Sequence, residues 1–80
     1  MNKPQETFAV RLLRLEAEAK MRSFELAKKA NISTAVISQL ENGRFNPSFQ
    51  TLVKLAHTFN VSLDWLCCLT DERRPLRGAS

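Results

Sequence analysis

Four serines punctuate this chain. Ser23, Ser33, Ser48 and Ser62 each stand at the head of a stretch in which apolar residues recur at helical spacing, and a serine hydroxyl is a favoured acceptor for the unpaired N–H groups that open a helix. The stretches close on Asn31, on Asn42 and Gly43, and on Asn60. Asparagine tolerates the left-handed conformation that ends helices better than other residues with a Cβ. This punctuation allows only short helices. The first is expected from about Gln5, after Pro4, to about Lys20, and a second under the Ser23 cap through Ala30. A third follows over Thr34–Glu41, a fourth after Ser48, and a short fifth after Ser62 with Asp64 in its first turn.

The inward stripes follow from the 3.6-residue period. They are Phe8, Leu12, Leu15 and Ala19, with Arg11, Arg14 and Glu18 off the stripe; Leu26, Ala27 and Ala30; Val36, Ile37 and Leu40; Leu52, Leu55, Ala56 and Phe59; and Leu63, Trp65, Leu66 and Leu69. No segment alternates as a strand would, and no repeat is present, so the fold class is all-α, a compact bundle of five helices. Residues 1–69 read as one domain. Residues 70–80 lack periodicity and read as a flexible tail.

Eighty residues leave room for a single domain. With 44% hydrophobic and 25% charged residues, the chain is too apolar for a disordered one. No apolar run approaches the ~18 residues of a membrane span and Met1–Glu6 is polar. The expectation is a soluble, cytoplasmic protein without a membrane partner.

Catalytic chemistry finds little to work with. Cys67 and Cys68 are adjacent, which is not the C-x-x-C spacing of a redox pair or a zinc site, and they read as small core residues. His57 has no acid or thiol at ligand spacing, and two glycines, Gly43 and Gly78, cannot build a phosphate-cradling loop. No serine, histidine and carboxylate set suggests a nucleophile. An enzyme, a cofactor, a metal and a small-molecule effector are therefore not expected.

Charge points elsewhere. Twelve Lys and Arg against eight Asp and Glu give +4 and a pI near 9.6, which favours a polyanionic partner. Between Leu26 and Leu63 the bases Lys28, Lys29, Arg44 and Lys54 face a single acid, Glu41, while Glu6, Glu16, Glu18 and Glu25 gather earlier.

The second and third helices, joined by a short turn at Asn31, Ile32 and Ser33, have the layout of a helix-turn-helix. In that unit the first helix crosses the DNA backbone and the second lies in the major groove. With Val36, Ile37 and Leu40 turned inward, Thr34, Ala35, Ser38 and Gln39 form an outward face of small, uncharged residues. A merely solvated face would favour Lys and Glu, which are better helix formers.

The ordered set Phe8-x-x-Arg11-Leu12, Glu25-Leu26-Ala27, Ile32-Ser33-x-x-x-Ile37-Ser38-x-x-Glu41-Asn42-Gly43, Pro47-Ser48-x-x-Thr51-Leu52-x-x-Leu55-Ala56 and Val61-Ser62-x-Asp64-Trp65-Leu66 resembles the phage-repressor and Cro type of helix-turn-helix regulator, the XRE family. The resemblance runs from about Phe8 to Thr70. It implies a lambda-repressor-like bundle and a sequence-specific transcriptional regulator of double-stranded DNA, a repressor acting as a homodimer on a palindromic operator. It also implies base reading by Thr34, Ala35, Ser38 and Gln39, and phosphate contacts by Ser23, Ser33, Asn42, Arg44 and Asn46. By the same analogy the dimer surface involves Val61, Leu63, Trp65, Leu66 and Leu69.

Three positions depart from the family. Arg22 and Ser23 stand where Ser or Thr followed by Gln is usual, Asn31 replaces a turn glycine, and Glu16 replaces an arginine that pairs with the acid of Glu41-Asn42-Gly43. Arg11, Arg14 and Arg44 are the candidate partners left for Glu41. The competing function is an antitoxin-like or adaptor module that uses the same fold to grip a protein.

Overall fold

The computed structural model describes residues 6–44 and 46–76, in which the backbone forms five helices. They are α1 (Phe8–Ala19), α2 (Ser23–Ala30), α3 (Thr34–Glu41), α4 (Phe49–Phe59) and α5 (Leu63–Leu66). Among the described residues there is no strand, and no helix is long and apolar enough to cross a membrane. Pro4 and Gln5, Phe45 and the residues Arg77–Ser80 lie outside the described residues.

Local chemistry sets most boundaries. The hydroxyls of Ser33, Ser48 and Ser62 accept the N–H groups of Val36, Thr51 and Trp65 at 3.1, 3.2 and 3.1 Å, capping α3, α4 and α5 as their positions suggest. Asn31 and Asn60 close α2 and α4 in the left-handed region, at φ 58° and 53°. At the end of α3, Asn42 stays right-handed and Gly43 takes the left-handed turn at φ 68°. The first helix begins later than expected, under a Thr7 hydroxyl that accepts from Val10 N–H at 3.3 Å, and ends on a left-handed Lys20.

The second helix corrects the expected cap. Arg22 is the N-cap and Ser23 is already helical; the Arg22 N–H donates to the Glu25 carboxylate at 2.8 Å, the backward half of a capping box. Ser23 is drawn out of a capping role because its hydroxyl donates to Glu41 at 2.7 Å.

The core joins all five helices: Leu12 and Leu15 of α1, Leu26, Ala27 and Ala30 of α2, Ile37 and Leu40 of α3, Leu55 and Ala56 of α4, then Val61, Trp65 and Leu66. Helix α1 packs on α3 and α5, while α2 packs on α3 and α4. Two stripe assignments change. Ala19, at the end of α1, is exposed, and Leu69 is 77% exposed because α5 ends at Leu66. Cys67 and Cys68 are half-buried, free thiols rather than full core residues, and burial pushes the Cys67 thiol up.

Arg11, expected off the core stripe, is only 3% exposed. Its guanidinium donates to the carbonyl of Trp65, to the carbonyl of Thr70 at 2.8 Å, to Glu6 at 3.0 Å and to Asp71 at 2.9 Å, and lies 4.7 Å from the centre of the Trp65 ring. A buried charge is tolerable where its donors are met in this way. The same contacts place residues 70–76, expected as a flexible tail, against the bundle. Arg73 covers the Trp65 ring at 5.2 Å and pairs with Glu18 of α1 at 2.6 Å, which lowers the Glu18 carboxyl from its ordinary value. The Arg74 carbonyl accepts from Ser62 N–H at 2.8 Å, and the Leu76 N–H donates to Asn60 at 3.3 Å.

Replacing Arg11 by Ala removes one of two donors to the Trp65 carbonyl, the donor to the Thr70 carbonyl and one of the two cations on the Trp65 ring, and leaves space in the core, which should cost about 3 kcal/mol in urea unfolding. Arg14→Ala removes only an exposed pair with Glu6 and should cost about 0.5 kcal/mol. Equal losses from the two variants would contradict this role for Arg11.

Candidate nucleic-acid interface

The α2–turn–α3 unit is fixed at its corner by short-range bonds. Ile32 N–H donates to Ala27 O at 2.9 Å across the left-handed Asn31, and Lys54 Nζ from α4 donates to the Asn31 carbonyl at 3.1 Å. Ile37 and Leu40 are fully buried and Val36 is half-buried, so α3 is seated on one side. Thr34, Ala35, Ser38 and Gln39 are all exposed on the other. Their chemistry suits base edges. A glutamine amide pairs with adenine N6 and N7, threonine hydrogen-bonds a base or touches a thymine methyl, and alanine offers an apolar contact.

The flanking residues divide. Ser33, Asn42, Arg44 and Asn46 are exposed. Asn42 donates one amide N–H to Ser38 O at 2.9 Å and keeps its carbonyl free to turn outward. The Arg44 N–H donates to Gln39 O at 3.1 Å, which ties the Arg44 backbone to the end of α3 while its side chain faces solvent. Gly43 makes that turn: a Cβ there would meet Ala9 of α1 only at 3.8 Å, so glycine is needed for the positive φ and not for space. Ser23 is set apart from this group, half-buried with its hydroxyl proton directed to Glu41.

Arg22 takes the outward place that Ser23 leaves. It is exposed at the α2 N-terminus, where a cation and free N–H groups suit a phosphate. Glu25, three residues after Arg22 and only two after Ser23, was the available signal. The exposed charge between Leu26 and Leu63 is basic throughout, since Lys28, Lys29, Arg44 and Lys54 are exposed and Glu41 is half-buried.

Of the five residues assigned to a dimer surface, Val61, Trp65 and Leu66 are buried in the core. Leu63 is half-buried and Leu69 exposed, so the surface of this segment is narrower than the apolar run suggests.

Glu41 finds none of its expected arginines. Arg11 pairs with Glu6 and Asp71, Arg14 pairs with Glu6, and Glu41 instead accepts from Ser23 and meets the carboxyl of Glu16. Glu16 is 6% exposed, and its Oε2 has no partner among the described residues. Burial first, then the hydrogen bond and charge of Glu41, push Glu16 up to about 8.

Comparison with known proteins bears on this geometry. The chain matches the helix-turn-helix family over residues 10–66. It is 42% identical over 53 residues to the HTH-type transcriptional regulator DdrOP3 of Deinococcus deserti, covering 66% of this chain and 41% of that protein. It is 32% identical over 57 residues to the immunity repressor protein of Bacillus phage phi105, covering 71% and 40%. The chain thus spans about two fifths of the length of these two relatives. Among solved structures, the P22 c2 repressor protein in complex with synthetic operator 9T superposes with a TM-score of 0.72 at 26% identity, covering 76% of this chain and 92% of that one. A match over most of the chain, on a five-helix frame with an outward α3, makes this chain a member of the helix-turn-helix family of the phage-repressor (XRE) type.

Proposed function

We propose that this chain binds double-stranded DNA sequence-specifically as a transcriptional regulator, a repressor, with α3 in the major groove. The observation that carries this is the solvent-facing set Thr34, Ala35, Ser38 and Gln39, short and uncharged on a seated helix, with exposed bases around it. Gln39 has the longest reach of the four and both a donor and an acceptor for an adenine edge. Ser33, Asn42, Arg44 and Asn46 set the register by contacting phosphate, and Arg22 joins them in place of Ser23.

One short helix reads only a few base pairs, so a useful site requires two half-sites about 34 Å apart and a homodimer on a palindromic operator. Of the five assigned residues, exposed Leu69 and half-buried Leu63 are the two with apolar surface left for a second copy. Sedimentation of the protein alone and with its selected duplex should give two chains per site; a single chain on a full operator would reject the dimer.

Gln39→Ala should weaken the best site by about 1–3 kcal/mol and relax one base position per half-site, with non-specific binding nearly intact. Selection from a random DNA pool with both proteins measures this. Unchanged sequence preference in Gln39→Ala and in Thr34→Ala would favour a protein-binding adaptor using the same fold.

Affinity should also fall steeply with salt, with a log–log slope of about −0.9 per phosphate neutralised. Arg44→Ala should reduce that slope by about one unit and weaken all sequences alike. A salt titration of both proteins checks it, and a changed sequence preference would reassign Arg44 to a base.

A further inference from the structure

Glu16 is a buried acid at the junction of three helices. It projects from α1 toward the end of α3, where Glu41 is held from α2 by the Ser23 hydroxyl, 2.7 Å from each carboxylate oxygen. Glu16 is 6% exposed with its Oε2 unpartnered among the described residues, and Glu41 is the neighbour that, after burial, raises its hold on a proton; two carboxyls this close ionise together only at a cost. The other charged groups nearest in sequence on the packed elements are Lys20 at the end of α1, Arg22 and Glu25 at the start of α2, and Arg44 after α3. All four are exposed, and Glu41 is the charged group that acts on Glu16.

We propose that the proton shared by Glu16 and Glu41 gates DNA binding, tying the end of α3 to α1 when present and forcing the two apart when lost. The proposal rests on the DNA-binding reading above. Loss of the proton places two carboxylates together where Glu16 is buried and Glu41 half-buried, so that water screens them poorly. The junction relaxes by moving Glu41 outward. The turn moves with it, because Asn42 bonds to Ser38 and Arg44 bonds to Gln39. Gln39 and Arg44, a base reader and a phosphate contact, are thereby displaced together. Glu16 is a positioning residue: it acts through Glu41 and touches no DNA.

The direction follows from linkage. A carboxyl raised from the ordinary 4.5 to about 8 holds its proton more tightly in the folded chain than in the unfolded one. Its contribution to stability is full below about 4.5 and is lost as pH rises through about 8. The binding-competent junction empties over the upper part of the same window.

Glu16→Gln keeps the shape and a donor for Glu41 but has no proton to release. On a duplex selected from a random pool, at constant ionic strength between about pH 6.5 and 9.5, wild-type affinity should fall by up to about tenfold per pH unit above the midpoint. The variant should change by less than about twofold over that range. Other proton-releasing groups of the chain lie in this range. They are common to both proteins, so the difference between the two curves isolates Glu16. Carbon NMR of the wild-type carboxyls, with amide shifts of Asn42–Arg44, should show both following one midpoint near 8. The gate is overturned if Glu16 titrates in the ordinary carboxylate range, or if both proteins share one pH profile of binding. Failure of both proteins to bind any duplex at any pH would reject the DNA-binding reading and the gate's output, while the NMR titration reports separately whether the junction moves.

Discussion

The guanidinium of Arg11 determines how this bundle closes. A chain of eighty residues has little core to draw on, so the few buried polar contacts that it makes weigh heavily in its net stability. Arg11 gathers the start of α1, the end of α5 and the segment after it around the Trp65 ring, with Arg73 on the same ring. That clamp sets the lie of α1, and α1 in turn presents Ala9 to the Gly43 turn and Glu16 to Glu41. The outward face of α3 is therefore positioned from two sides: by the α2 corner, and by a helix whose own anchor is at the far end of the chain.

The parts of this arrangement written in local chemistry could be read from sequence. Ser33, Ser48 and Ser62 cap helices because a hydroxyl three residues from an open N–H needs no help from elsewhere, and Asn31 and Asn60 end helices because their own backbone tolerates the left-handed region. The solvent-facing side of α3 followed from period alone. The misreadings occur where a distant partner outbids the local preference. Ser23 had the right chemistry to cap α2, but Glu41 claims its hydroxyl, and Glu25 serves Arg22 instead. Arg11 is charged and so looked external; its acceptors lie at the other end of the chain. Residues 70–76 contact Asn60, Ser62, Glu18 and Arg11 through scattered side-chain and backbone bonds, which leave no periodic trace. Glu16 was visible as a departure from the family pattern, but its burial against Glu41 is a property of packing. Leu69 and the buried trio of Val61, Trp65 and Leu66 were indistinguishable in an apolar run whose helix stops after one turn.

The separation of Arg11 from its acceptors also bears on the order in which this chain assembles. Its bonds to Trp65, Thr70 and Asp71 close loops of 54, 59 and 60 residues, whereas the corner between α2 and α3 is made by bonds from Ile32 to Ala27 and from Val36 to Ser33. Short loops close in well under a microsecond, and the entropic cost of closure rises with loop length. Helices α2 and α3 can therefore find each other before Arg11 meets its acceptors near Trp65. Opening runs in the reverse order. Transient release of the segment after α5 and of the start of α1 then leaves the corner that presents α3 intact.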